Sequence, residues 1–281
     1  MQDIRRRRAP GRLATLLLAL AVMLGLTAVA AHAAPDPATP AALKVPASAK
    51  AAVAAMQPSW NLGNTLDAIP EETSWGNPKA TRELLAKVRA EGYRSVRIPV
   101  TWSDHQAATA PYTIDATYLD RVEQVVQYAL DEGLYVVLNV HHDSSQWVSK
   151  IATEHDTVRA RFDATWTQIA ERFKDAPRTL LFEAINEPTF EGATAEQKAK
   201  LLDELQVSFH RIVRDAGGNN DDRLLVLTSQ VGTPSQELMD DLHRTITSLD
   251  DARRGDGRPS DAGGGVQGHH RRVLRHHPLP G

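Results

Sequence analysis

From residue 59 onward, short apolar runs alternate with longer stretches in which apolar residues recur every three or four positions. The runs cover 59–63, 93–100, 134–140, 179–185 and 223–228. All but the first carry Val, Ile or Leu on both parities, as parallel strands buried on both faces do. The stretches between them predict amphipathic helices with legible ends. One opens at Asn77-Pro78, an N-cap with proline at the first helical position, and stops at Gly92. A second opens at Asp115, sets Leu119, Val122, Val126 and Ala129 on one face, and ends at Gly133. A third carries Phe162, Trp166, Ile169 and Phe173 as a core stripe, so Trp166 is assigned to packing. A fourth begins with a Thr194–Gln197 capping box ahead of Leu202, Leu205, Phe209 and Ile212. The fifth starts at Thr233-Pro234 and aligns Leu238, Leu242, Ile246 and Leu249.

Strict strand–helix alternation predicts parallel α/β architecture, as a barrel or a doubly wound sheet. No G-x-G-x-x-G follows the first strand and no phosphate loop appears. Polar and aromatic residues gather instead after the C-terminal ends of several strands, where a (β/α)8 barrel carries its chemistry.

Composition narrows the picture modestly. The 281 residues are 42% hydrophobic and 24% charged, as in an ordinary globular protein. A net charge of −3 offers no argument for a nucleic-acid partner. The absence of cysteine removes disulfides and thiolate metal sites. Arginines 5–8 and Arg12 precede an apolar run over 13–30, and Ala31-His32-Ala33 supplies small residues for cleavage. Residues 1–33 therefore predict a secretory signal peptide and an extracellular protein, with no membrane association once the leader is removed. A membrane anchor is the competing assignment, since about 18 apolar residues nearly span a bilayer. The twin-arginine export route stays open beside the general one. Residues 34–55 are Ala/Pro-rich and predict a linker, residues 56–250 the barrel units.

The candidate chemistry sits at strand ends. The fourth run closes on Asn186-Glu187-Pro188, and Pro188 stops further pairing, which places Glu187 at the mouth of a barrel. A partly desolvated carboxyl there suits a general acid. Glu183, near mid-strand, is expected to pair with an arginine as a structural group. Arg97, in Arg97-Ile98-Pro99-Val100-Thr101-Trp102, can orient a carboxylate through two-pronged hydrogen bonds. His141, His142 and Asp143 invite a metal, but neighbours on a strand face opposite sides, so hydrogen bonding is the expected use. No metal and no other cofactor is predicted. Asn64 and Asp67 are candidates for ligand hydroxyls. Trp75, Trp102 and Trp147 follow the first three strands and are expected as flat platforms on the rim.

Taken in order, Trp60-Asn61-Leu62-Gly63-Asn64-Thr65-Leu66-Asp67, Arg97 to Trp102, Leu138-Asn139-Val140-His141-His142-Asp143 and Phe182 to Pro188 resemble the motifs of glycoside hydrolase family 5, in particular its bacterial endoglucanases. The resemblance covers about residues 56–250. It implies a (β/α)8 fold and retaining hydrolysis of β-1,4-glucan by a monomer. It also implies Glu187 as acid/base, Asn186 on the sugar 2-hydroxyl, Arg97 in support of the nucleophile, and His141 at the cleavage subsite. His142, Asn64, Trp102 and Trp147 complete the predicted sugar contacts. A β-mannanase on the same fold, or a carbohydrate binder without turnover, are the alternatives.

The resemblance also implies a second glutamate on a seventh strand, a His/Tyr pair after a sixth, and a tryptophan after an eighth. None follows here. Residues 251–281 turn to Arg, Gly, His and Pro, a composition expected of a disordered tail or of a GC-rich gene read out of frame. The pattern accounts for five barrel units, and the chain is expected to lack the nucleophile and to be inactive alone.

Overall fold

The computed structural model describes residues 46, 48–231 and 235–249. The predicted leader, the tail and the Thr233-Pro234 helix start lie outside the described residues. The elements run α1 (Ala49–Ala55), β1 (Ser59–Asn61), α2 (Arg82–Ala90), β2 (Ser95–Ile98), α3 (Ala116–Asp131), β3 (Tyr135–Asn139), α4 (Asp143–Gln146), α5 (His155–Arg172), β4 (Leu180–Glu183), α6 (Ala195–Asp215), β5 (Leu225–Val226) and α7 (Gln236–Ser248). All five strands lie parallel in one sheet, in the order β1-β2-β3-β4-β5. A doubly wound sheet reverses direction at a switch point. This order never reverses, so the winding is that of a barrel.

Several helix ends follow from single side chains. Asp115 caps α3 by accepting from the Tyr118 N–H, and Thr194 with Gln197 forms the reciprocal capping box of α6. The chain leaves α2 and α3 through Gly92 and Gly133, at φ 94° and 69°, a region glycine enters without steric cost. Two expectations fail. The Asn77-Pro78 start is wrong: α2 opens four residues later, where the Thr81 hydroxyl accepts from the Leu84 N–H. Asn77 instead donates from Nδ2 to the Gly63 carbonyl and ties a loop. The predicted 34–55 linker contains α1, because an alanine-rich run behind the Ser48 cap has high helix propensity.

The register divides the sheet into two faces. Val96, Ile98, Val136, Leu138, Leu180 and Phe182 pack among the helices in the main core, with Trp166 against Phe182 and Phe209. The opposite parity is layered. Tyr135, Val137 and Leu181 form an apolar layer with Met56; Asn139 and Glu183 stand one step further along their strands, and Arg97, in register with Val137, reaches Glu183 with its guanidinium. This polar layer forms the base of the candidate site.

At the other end of the strands, Arg223 is fully buried and donates to the carbonyls of Phe173, Ala176, Pro177 and Leu180 and to Asn220. Burial lowers its pKa to about 10, and its guanidinium also lies 4.9 Å from the Phe182 ring centre. It gathers the chain leaving α5 and the start of β4.

Candidate active site

Arg97 organises the polar layer. Its Nε and Nη2 donate to Glu183 Oε2 and Oε1 at 2.7 and 2.6 Å, a bidentate pair that neither side shares much with water. Burial disfavours the guanidinium charge, yet the adjoining Glu183 carboxylate more than reverses this and raises the Arg97 pKa. The expected pairing of Glu183 with an arginine is therefore present. The same Nη2 donates to Asn186 Oδ1 at 2.8 Å, and Nη1 to Asn61 Oδ1 at 3.4 Å. Because the Asn186 oxygen is engaged, its amide nitrogen is the group left to meet a ligand oxygen.

Glu187 follows at the end of β4, exposed rather than partly desolvated as the sequence suggested. Its φ of 42° lies in the left-handed region, where a residue with a Cβ costs about 1–3 kcal/mol. The neighbouring backbone is held on both sides: the Asn186 N–H bonds to the Val140 carbonyl, and the Pro188 carbonyl accepts from Val231. Asn64, at φ 58°, is likewise exposed at the end of β1, in a conformation that Asn tolerates well.

The two histidines leave β3 differently from a continued strand. β3 ends at Asn139, backbone bonding to the neighbouring segments continues only through Val140 and the His141 N–H, and His142 already has helical dihedrals as the residue before α4. Strand alternation therefore does not apply, and the rings of His141 and His142 lie together, 4.6 Å apart and nearly perpendicular. Asn139 donates from Nδ2 to Glu183 and lies 3.1 Å from His141 Nδ1, which makes that nitrogen the acceptor and puts the ring proton on Nε2. Burial, and then the Arg97 charge, lower the His141 pKa to about 3, so this donor is neutral near neutrality. Asp67 is buried: its Oδ1 accepts from the Thr65 N–H, and its Oδ2 stands 3.6 Å from His142 Nε2. Burial raises its pKa, but the nearby His142 and the Thr65 and Asn64 amides outweigh that and lower it.

The tryptophans separate into one platform and two supports. Trp75 is 42% exposed and meets His142 edge-on at 5.2 Å. Its loop is clasped onto α3 by Glu72, which accepts Nε and Nη2 of Arg121 and the Ala80 N–H. Trp102 is fully buried and donates its indole N–H to the Asn139 carbonyl, so it cannot bind sugar. Trp147 is also buried, with its indole N–H on Asp143 and its ring under Arg161. Asp143 also accepts the backbone N–H groups of Trp102 and Ser103, which ties the segment after β2 to the start of α4.

A family profile for cellulases, glycosyl hydrolase family 5, matches residues 61–247. The chain belongs to glycosyl hydrolase family 5. Endoglucanase B of Paenibacillus lautus is 48% identical over 245 residues, covering 85% of this chain and 42% of that protein. The full-length tri-modular endo-β-1,4-glucanase B of Bacillus halodurans superposes with a TM-score of 0.70 at 46% identity, covering 72% of this chain and 39% of that one. A tri-modular family 5 endo-β-1,4-glucanase from Bacillus licheniformis, solved with cellotetraose, gives 0.60 at 41% identity, covering 64% of this chain and 34% of that one. The chain thus spans less than half the length of each of these family 5 proteins.

Asn61 and Asn139 were not predicted as site residues. Each is a polar residue on the parity that carries Arg97 and Glu183, and that signal could have found them. Among the described residues the carboxylate that Arg97 holds is Glu183.

Proposed function

We propose that this chain carries the proton-donating and sugar-orienting half of a secreted, retaining endo-β-1,4-glucanase site, with β-glucan as ligand. The observation that supports it most is the Arg97–Glu183–Asn186 cluster, which anchors Asn186, the residue before Glu187, at the end of β4. In this reading Glu187 protonates the leaving-group oxygen and then deprotonates the incoming water. Asn186 donates to the 2-hydroxyl, His141 donates through Nε2, and Trp75 stacks on a sugar ring. Asn64 and His142 line the same mouth.

Retaining hydrolysis needs a second carboxylate about 5 Å from the first. The other carboxylates that Arg97 senses, Glu183 and Asp67, already hold the guanidinium and backbone N–H groups. The 281-residue chain by itself is therefore proposed to bind β-glucan oligosaccharides without rapid turnover. Titration calorimetry with cellotetraose and with mannotetraose, alongside reducing-end release from β-glucan, tests this. Binding of cellotetraose with little release is expected. Preference for the mannan oligomer would reassign the substrate, and no binding to either would overturn the reading.

A further inference from the structure

We propose that Asp67, His141 and His142 form a binding site for a borderline divalent transition metal such as zinc, and that the bound ion competes with sugar at the mouth. One donor atom from each residue lies within 4.8 Å of the other two. Two ligands at about 2.0–2.1 Å from one zinc ion stand roughly 3.3 Å apart in tetrahedral geometry. The 3.6 Å between Asp67 Oδ2 and His142 Nε2 is close to that value and too long for a good hydrogen bond. His142 Nε2 is closed to solvent and has no hydrogen-bond partner, a state that costs free energy and that a metal would relieve.

The surroundings support coordination. Thr65 fixes Asp67 through Oδ1, which aims Oδ2 at His142, and a ligating carboxylate is ordinarily held by such a bond. Ligation through His141 Nε2 moves the ring proton to Nδ1, so the Asn139 amide has to turn its oxygen toward that nitrogen when the ion binds. The positive Arg97 nearby would repel a cation, but Glu183 pairs with it, and Asp67 and Glu187 add negative charge to the field around it. Two imidazoles and one carboxylate suit zinc, copper(II) or nickel(II), whereas magnesium and calcium prefer all-oxygen sites. Three protein ligands leave a fourth position open toward the mouth.

The ion site stands on this geometry alone; the competition with sugar rests on the function proposed above. The tail carries His269, His270, His276 and His277, a second source of metal affinity, so the test uses the full chain with those four changed to alanine. Zinc chloride titrated calorimetrically is expected to bind one ion per chain. Asp67→Asn and His142→Ala, each checked for a native unfolding transition, should weaken it at least tenfold, since even outer-sphere partners contribute 10–100-fold. Magnesium should give no heat. Saturating zinc should weaken cellotetraose binding in the parent and not in His142→Ala. Loss of all zinc binding with the tail histidines, or an affinity in both site variants equal to the parent's, would overturn the site. Zinc binding with no effect on cellotetraose would retain the site and overturn the competition.

Discussion

Arg97 and Glu183, 86 residues apart in sequence, meet through two parallel N–H···O bonds on the inner face of the sheet. The pair sets the height of the mouth, because Asn186 hangs from the same guanidinium. Removing one partner leaves an uncompensated buried charge. Glu183→Ala is expected to cost about 3–5 kcal/mol in chemical denaturation, and the double change Arg97→Met/Glu183→Leu less than that single one. A loss below about 1 kcal/mol for Glu183→Ala would mean that water reaches Arg97 freely.

Acid should loosen the same region. His141 has a folded pKa of about 3 against an ordinary 6.5, so the unfolded chain takes up the proton first. Its contribution is complete above pH 6.5 and is lost progressively as pH falls toward 3. Asp67, with a lowered carboxyl pKa, adds a loss only below its ordinary 3.8. His141→Gln should therefore flatten the stability profile between about pH 6.5 and pH 4 and leave the steeper fall below it. Urea midpoints measured across that range read this directly, and an unchanged slope in the variant would assign the acid sensitivity elsewhere.

Strand positions and the Thr194 and Asp115 caps were legible because each depends on residues within a few positions of one another. Contacts after a strand ends were not. Trp102 and Trp147 follow strands just as Trp75 does, yet the Asn139 carbonyl takes the Trp102 indole N–H and the buried Asp143 carboxylate takes that of Trp147. The period-two rule that set His141 and His142 on opposite faces failed once the chain turned helical at His142. Glu183 was legible as an arginine partner from its depth in the strand, but which carboxylate Arg97 would choose was a tertiary question.

The tryptophans can be told apart by binding. Trp75→Ala should weaken cellotetraose about tenfold, the roughly 1.4 kcal/mol of a modest interface hot spot, with little change in stability. Trp102→Phe should instead cost about 1–3 kcal/mol of stability, because the Asn139 carbonyl loses its indole donor in a buried site. Parallel calorimetry and denaturation on the two variants separate these roles. A stable Trp102 variant with tenfold weaker binding would reverse the assignment.

Glu187 occupies a backbone conformation that suits glycine better than glutamate. Such a conflict between residue and conformation fits the catalytic role proposed for it. Glu187→Gly should leave stability unchanged or raise it by up to about 1 kcal/mol, as relief of left-handed strain offsets the added freedom of the unfolded chain. Glu187→Gln keeps the shape and removes the acid. In a chimera where residues 61–247 replace the matching segment of the Paenibacillus lautus relative, Gln should preserve cellotetraose binding and cut β-glucan hydrolysis by about 10²–10⁴. The deficit should shrink on substrates whose leaving groups need no proton, since Glu187 then matters only for activating water in the second step. A Gln chimera as active as its parent would remove Glu187 from the reaction, and a destabilised Gly variant would show that the carboxylate holds the loop instead.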